Sequence, residues 1–265
     1  GFLSEQDQDD CCQVITWVPK QPWSSGAVGM MGTGWAGRIQ PLVAARQPSA
    51  LKAIMPIDLI DDLYQENYPG GATSDYHFAL GGLLPANRQD LDAMDEIGAE
   101  GVQEKLAQLR DRPEMVASSY TWRALDSWPP CFAQWSVDAL IHDEPCPFWE
   151  KRSSDGKADR IKIPVYAASF YYEFGRSTVS AFNLYNDPQL QVPKKLLMVS
   201  AGFDKCSPCT NTSREMLRWY DHWLKGVDTG IMEEPPIKLF VMGENRYRWE
   251  QQWPLARMEQ KKLYL

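Results

Sequence analysis

The feature that most restricts the fold of this 265-residue chain is a glycine-rich turn that follows a short apolar run. The run Ala27–Met31 is typical of a strand, and the segment after the turn has the pattern of a helix reaching toward Arg46, with Pro41 inside it. Glycines permit backbone angles and close helix-strand packing that a side chain would prevent. The sequence therefore predicts a strand, a very tight turn and a helix.

Two kinds of site are built on such a turn. In the nucleophile elbow, G-x-S-x-G, a strained turn holds a serine at the top of a sheet; in the dinucleotide fingerprint, G-x-G-x-x-G, helix amides bind a pyrophosphate. Gly34 stands where the elbow has serine, so Gly32, Gly34 and Gly37 also match the fingerprint, with Asp58 as its ribose ligand. A lone fingerprint is a weak signal and Trp35 would crowd the phosphate. We therefore predict no cofactor.

Charge and cysteine content exclude several classes of partner. The net charge is -8, which argues against nucleic acid and against an anionic membrane surface. No apolar stretch reaches the roughly 20 residues of a membrane span. The six cysteines form no disulfide framework, and Cys206–Cys209 is a single C-x-x-C without the second pair that structural zinc needs. We expect no bound metal, reduced thiols and a cytoplasmic location.

The rest of the chain alternates between helical and strand patterns. A helix is predicted over Gln6–Val18 and another after the capping box Thr212–Glu215, closed by Gly226. Further strands are predicted at Leu51–Met55, Ile161–Ala168, Lys195–Ser200 and Ile237–Met242. This order predicts a parallel α/β sheet, whose chemistry lies in loops at the carboxyl ends of strands, here Ser169–Gly175 and Ala201–Cys209.

The predicted organisation has four parts. Residues 1–56 and 161–232 form the two halves of an α/β core, residues 57–160 form a helical insertion, and residues 233–265 begin a C-terminal β domain. The insertion has a clear helix at Gly98–Arg110 and many aromatic residues. At helical spacing such aromatics belong either to a core or to a pocket, and both interpretations stay open. His222 is interpreted as a structural or surface histidine.

Several segments together resemble the family of X-prolyl dipeptidyl peptidases, cocaine esterases and α-amino-acid ester hydrolases. The matching segments follow the family's order and span nearly the whole chain: Ile15–Trp17, Gln21–Trp23, Val28–Met30, Leu51–Ile54, Asp61–Tyr64, Gly70–Gly71, Phe148–Arg152, Ile163–Val165, Asp221–Gly226 and Leu239–Gly243. The resemblance implies an α/β-hydrolase fold with a helical cap and a C-terminal jelly roll.

The same resemblance implies that the catalytic triad is not retained. The family's serine, in G-x-S-Y-x-G, falls on Gly34, its aspartate on Glu173, and its histidine near Lys205. The first strands of the fold, with an oxyanion-hole tyrosine, would precede Gly1. We expect that the chain is one piece of a longer or cleaved protein, or that another chain completes the fold.

Three functions remain open. In the first, a pocket binds a small ester, amide or peptide-like molecule, or supports acid-base chemistry without a covalent intermediate. In the second, an active esterase or peptidase uses another nucleophile, such as Ser169, Ser200 or Cys206. In the third, the fold is a structural or interaction subunit.

The first of these functions assigns roles to ten positions. Gly34 is the vacant nucleophile position, and the amide of Trp35 is a remnant oxyanion donor. The polar groups of the site are Glu173, Asp204, Lys205, Tyr171 and Tyr172, and the ligand-binding residues in the insertion are Tyr64, Tyr68 and His77.

Overall fold

The computed structural model describes residues 2–72, 92–113, 134–171, 176–199, 211–259 and 261–263, without the side chains of residues 134, 136 and 211. The chain divides into two compact units. The larger unit comprises residues 9–61 and 154–265, and the smaller comprises residues 1–8 and 62–153. The smaller unit contains most of the predicted insertion, residues 57–160.

The larger unit is built on a six-stranded sheet whose strands follow one another in chain order. Its strands are β1 (Val28–Thr33), β2 (Leu51–Ile57), β3 (Val165–Phe170), β4 (Lys194–Val199), β5 (Ile237–Val241) and β6 (Arg246–Glu250). The first five pair in parallel, and β6 pairs antiparallel with β5. The predicted parallel α/β sheet is confirmed.

Two details of the strand prediction differ from the structure. The third strand begins at Val165 and not at Ile161, because Ala158–Arg160 forms a short 3₁₀ helix and Pro164 has no amide to donate to a ladder. Residues 233–265, predicted to begin a separate β domain, contribute β5 and β6 to the central sheet. A jelly roll stays a prediction.

Helices cover both faces of the sheet. The larger unit contains most of α1 (Glu5–Trp17) and all of α2 (Trp35–Ala44), α7 (Ser177–Asn186) and α8 (Asn211–Lys225). Alternate strand residues point to opposite faces. Ile54, Ala167 and Leu196 pack with α2 and α7, whereas Met55, Ala168 and Leu197 pack with Trp219 of α8. The sheet is therefore the middle of three layers.

The two ends of α8 test the helix start and the helix end that were predicted from local sequence patterns. At the carboxyl end, the Gly226 amide donates to His222 O and the Val227 amide to Asp221 O, so the predicted end is confirmed. The predicted capping box is wrong, because α8 already begins at Asn211 and the carboxylate of Glu215 bonds elsewhere. Glu215 Oε1 accepts from Lys238 Nζ at 2.7 Å, and Glu215 Oε2 accepts from the Tyr166 hydroxyl at 3.1 Å.

The described part of the smaller unit is mainly helical and has an aromatic core. Its described helices are α3 (Leu63–Asn67), α4 (Asp92–Arg110, broken at Gly98), α5 (Gln134–Ile141) and α6 (Pro147–Glu150). Phe148 and Trp149 of α6 pack against Trp135 with ring centroids 5.7 and 5.8 Å apart. Buried Arg152 joins this core by donating to the carbonyls of Phe2 and Phe148 and to the carboxylate of Asp92. Among the helices of the described ranges, none is long and apolar enough to cross a bilayer.

Candidate functional site

The candidate site is the sharp turn from β1 into α2. Gly34 has φ +59° and ψ −124°, a conformation that L side chains rarely adopt. Its amide donates to Ile57 O of β2 at 3.1 Å, and its carbonyl accepts from the Gly37 and Arg38 amides at 2.9 and 2.8 Å. The turn is therefore fixed by hydrogen bonds on both sides of Gly34.

The three glycines of the turn are required for different reasons. A Cβ on Gly32 would lie 2.4 Å from Ala36 Cβ, and a Cβ on Gly37 would lie 2.0 Å from Ile57 O. A Cβ on Gly34 would meet no atom of the described residues within 4 Å. Close packing thus excludes a side chain at Gly32 and Gly37, while Gly34 has room for one. The predicted elbow geometry is present with its central side chain missing.

Trp35 is the first residue of α2, and its side chain is exposed. Its amide belongs to the first turn of the helix, where the helix dipole is positive and stabilises negative charge. That position suits an oxyanion donor, and the role stays a prediction.

A buried carboxylate lies beside the turn, at the end of the neighbouring strand. Asp58 Oδ2 accepts from Thr33 Oγ1 at 2.8 Å, and Asp58 Oδ1 lies 3.4 Å from Ser169 Oγ of β3. Asp58 is 4% exposed and has φ +57°. The sequence pattern pointed to Asp58 only as a ribose ligand and did not predict its pairing with Thr33. The only sequence signal was a carboxylate directly after a buried strand.

A second buried carboxylate fixes the loop after β2. Asp61 accepts from Ser180 Oγ and Asn183 Nδ2, each at 2.6 Å, and from Arg176 Nε at 3.1 Å. Burial alone would raise the pKa of Asp61, but these three hydrogen bonds outweigh it and lower the pKa below its usual value. Asp61 therefore stays ionised and ties this loop to α7.

The predicted polar residues of the site fall mostly outside the described residues. Those outside are His77, Tyr172, Glu173, Asp204 and Lys205, together with Ser200, Cys206 and Cys209. Tyr171 directly follows β3, and its amide donates to Val199 O. Burial raises the pKa of its half-buried phenol. Ser169, considered above as a nucleophile, is completely buried.

Tyr64 and Tyr68 lie in the helical unit and stack on each other, with ring centroids 5.2 Å apart. The Tyr68 hydroxyl donates to Ala139 O at 2.7 Å, and the Tyr64 hydroxyl donates to Asp143 O at 3.2 Å. Burial raises the pKa of both phenols. Their ligand-binding role stays a prediction, because these contacts are those of a packed helical core.

Of the two described histidines, His142 directly follows α5 and His222 lies on α8. His142 Nδ1 lies 2.6 Å from Asp138 O, His142 Nε2 lies 2.9 Å from Glu96 Oε2, and the ring stacks on Phe148. His222 is in the last turn of α8, with its ring edge-to-face against Trp223. These contacts are consistent with structural roles for both imidazoles.

A cleft of about 210 Å³ opens at the opposite end of the sheet, where β2 begins. Its lining includes Leu51, Lys52, Lys162 and Ile163, together with the turn at 47–49. None of the predicted site residues that the structure describes lines this cleft.

Comparison with known proteins gives a consistent set of matches. The sequence pattern of the family described as X-Pro dipeptidyl-peptidase (S15 family) matches residues 1–201. The cocaine esterase of Rhodococcus sp. (strain MB1 Bresler) is 27% identical over 271 residues, covering 94% of this chain and 46% of that protein. The chain thus spans less than half the length of this curated relative.

Two solved structures show the same fold at lower identity. A CocE/NonD family hydrolase from Staphylococcus aureus has a TM-score of 0.66 at 19% identity, over 97% of this chain and 40% of that one. An α-amino acid ester hydrolase has a TM-score of 0.56 at 18% identity, over 92% of this chain and 42% of that one. The expected α/β-hydrolase fold is confirmed.

Proposed function

The chain belongs to the X-Pro dipeptidyl-peptidase (S15) family, and from this membership we propose that it binds a small ester, amide or peptide-like molecule without a Ser/His/Asp triad. Its relatives include esterases and X-Pro peptidases. A serine triad needs a hydroxyl that attacks, an imidazole that takes its proton and a carboxylate that orients the imidazole. In this chain, glycine stands at the first of these positions.

The observation that supports this proposal most directly is the geometry at Gly34. The backbone has the strained turn that presents a nucleophile, and no atom of the described residues fills the space of the missing side chain. Gly32 and Gly37 hold the turn in this geometry, because neither position has space for a Cβ beside Ala36 and Ile57. We infer that the turn still positions a ligand, with the polar groups of the site supplying hydrogen bonds to it.

The residues at the other two triad positions are assigned from the sequence alone. Glu173 stands where the family has aspartate, and it retains a carboxylate. Lys205 stands near the histidine position and cannot act as an imidazole, since a lysine is ordinarily protonated at neutral pH. Two of the three roles are therefore vacant, and a change at Gly34 alone does not account for both.

The exposed side of β1 supports the further proposal that another segment of the hydrolase fold completes the sheet. Among the described strands, β1 lies at one edge of the sheet, and Met31 on it is 64% exposed. Trp23, just before β1, is 68% exposed and packs edge-to-face on exposed Trp17. Large apolar side chains along an open strand edge are typical of a surface that pairs with a further strand.

Hydrogen exchange tests the proposed completion of the sheet. In the 265-residue chain alone, at a concentration where it is monomeric, we expect β1 amides to exchange faster than those of central β3. Equal protection of the two strands would contradict the proposal.

Ligand binding is tested with two non-ester probes, para-nitroacetanilide and glycyl-prolyl para-nitroanilide. The chain has eleven tryptophans, so we expect at least one probe to give a saturable change in tryptophan fluorescence. The matched control is Gly34→Trp, which fills the open space at the turn, and it should weaken that binding at least tenfold. No saturable change with either probe, or unchanged affinity in the variant, would contradict the proposal.

A further inference from the structure

Thr33 and Asp58 lie at the carboxyl ends of two neighbouring parallel strands. Thr33 is the last residue of β1, its register partner on β2 is Ile57, and Asp58 follows directly. Thr33 Oγ1 donates to Asp58 Oδ2 at 2.8 Å. The pair is adjacent to Gly34, whose own amide bonds to Ile57 O.

The carboxylate of this pair is held in place from several directions. The Asp58 amide donates to Ala168 O at 3.0 Å, and Ser169 Oγ lies 3.4 Å from Asp58 Oδ1. Asp58 has φ +57°, an unusual conformation for a residue other than glycine, and such backbone outliers concentrate at functional sites. This arrangement fixes one carboxylate oxygen on the Thr33 hydroxyl.

The two members of the pair differ in exposure. Asp58 is 4% exposed, whereas Thr33 is exposed. A bound molecule can therefore reach the hydroxyl directly, while the carboxylate behind it is shielded from bulk water. A nucleophile paired with a base in this way is the arrangement that covalent catalysis requires.

We propose that Thr33 and Asp58 form a hydroxyl-carboxylate dyad that accepts an acyl group from an activated ester. Thr33 Oγ bonds to the acyl carbon as its proton moves to Asp58 Oδ2. The ester C–O bond then breaks, and the departing oxygen takes that proton to leave as the alcohol. Water then bonds to the acyl carbon as one of its protons moves to Asp58 Oδ2. The bond from that carbon to Thr33 Oγ breaks, Oγ takes the proton back from Asp58, and the carboxylic acid leaves. This inference rests on the proposed function in one respect, that the ligand is ester-like and binds at the turn.

The dyad also defines the class of substrate. A carboxylate is a weaker base than an imidazole, so the leaving group must be a good one, as in aryl esters. Amides and peptides, whose leaving groups are poor, should bind without reacting. Ser169 is then a positioning residue, since it is completely buried and touches Asp58 instead of solvent.

The test is acyl trapping with para-nitrophenyl acetate, followed by acid quenching, intact mass and peptide mapping. The wild-type chain should show a burst of para-nitrophenolate and an acetyl group on Thr33. Thr33→Val removes the hydroxyl and keeps the shape, and Asp58→Asn keeps an acceptor and removes the base. Each should reduce the burst at least tenfold.

The control variant is Thr16→Val, which removes the hydroxyl of a threonine on α1 that donates to Cys12 O. It should leave the burst unchanged. Circular dichroism of all variants identifies any that fail to fold, and for those Thr33→Ser, which should retain the burst, replaces the loss-of-function test. No acetyl group on Thr33 of the wild-type chain, or full acylation of Thr33→Val at another residue, would overturn the proposal.

The binding experiment with the two anilide probes separates the two proposals. Probe binding without acylation of Thr33 would refute the dyad and leave the proposed binding function standing. If neither probe binding nor acylation of Thr33 is observed, both proposals are refuted.

Discussion

A comparison of Gly34→Ala with Gly37→Ala tests whether the turn is kept by backbone conformation at one position and by packing at the other. At Gly34 the added Cβ meets no atom within 4 Å in the part of the chain that the structure describes, so the expected cost is the strain of φ +59°. Such strain costs about 1–3 kcal/mol, and the reduced freedom of the unfolded chain offsets about 0.4–1 kcal/mol of it. We expect a net loss of about 1 kcal/mol.

At Gly37 the added Cβ would lie 2.0 Å from Ile57 O, which accepts the Gly34 amide. Overpacking of this kind costs about 3 kcal/mol, and disturbing that hydrogen bond adds about 1 kcal/mol. The better helix propensity of alanine returns about 1 kcal/mol, because Gly37 lies in α2. We expect a net loss of about 3 kcal/mol.

The assay is urea unfolding followed by tryptophan fluorescence, with both variants and the wild type measured side by side. Gly34→Ala should shift the midpoint slightly and Gly37→Ala roughly three times as far. Equal shifts, or a larger shift for Gly34→Ala, would refute the assignment of the two glycines.

Three further predictions concern buried polar groups. Burial raises the pKa of Asp138 from 3.8 to about 6, so the folded chain holds this proton more tightly than the unfolded chain. The stability that this bound proton contributes, about 3 kcal/mol, is fully present below pH 4 and is lost as the pH rises through 6. Asp138→Asn should flatten this part of the plot of unfolding free energy, measured with urea, against pH. An unchanged slope of that plot would refute the assignment to Asp138. Gln40→Leu leaves the Met55 amide without the side-chain oxygen that accepts from it at 3.1 Å, and should lower the free energy of unfolding in the same assay by about 1–3 kcal/mol. An unchanged free energy of unfolding would contradict this prediction. Lys238→Met removes the ammonium that lies 2.7 Å from Glu215, and should lower the free energy of unfolding by about 3–5 kcal/mol. Adding Glu215→Gln should recover part of this loss, and no recovery would contradict a direct pairing of the two side chains.

The sheet and the turn could be predicted from the sequence because both depend on local patterns. Apolar runs of strand length alternate with amphipathic segments, and that order specifies a parallel sheet. The glycine spacing specified the turn, and the structure supplies the physical reason in the approach of Gly37 to Ile57 O. Strand boundaries were predicted less accurately where a proline lacks the amide hydrogen that pairing in a sheet needs, as Pro164 does before β3.

The polar pairs could not be predicted, since each joins residues far apart in the chain. Thr33 and Asp58 are 25 residues apart, and their contact depends on the register of β1 against β2. Glu215 was assigned to a capping box because that signal is local, but its carboxylate bonds to Lys238 on β5 instead. Sequence patterns report which residues share a face, whereas pairing across strands needs the sheet itself.

The most direct test of the central claim, a hydrolase turn without its serine triad, is fluorophosphonate labelling of Gly34→Ser beside the wild type. Intact mass and peptide mapping would locate any adduct, with para-nitrophenyl acetate turnover measured on the same samples. Without an imidazole to activate the new hydroxyl, we expect no adduct on residue 34 and turnover at that residue below about 1% of an intact family member. A stoichiometric adduct on residue 34 with robust turnover would show that a base activates a hydroxyl at residue 34 and would contradict the account.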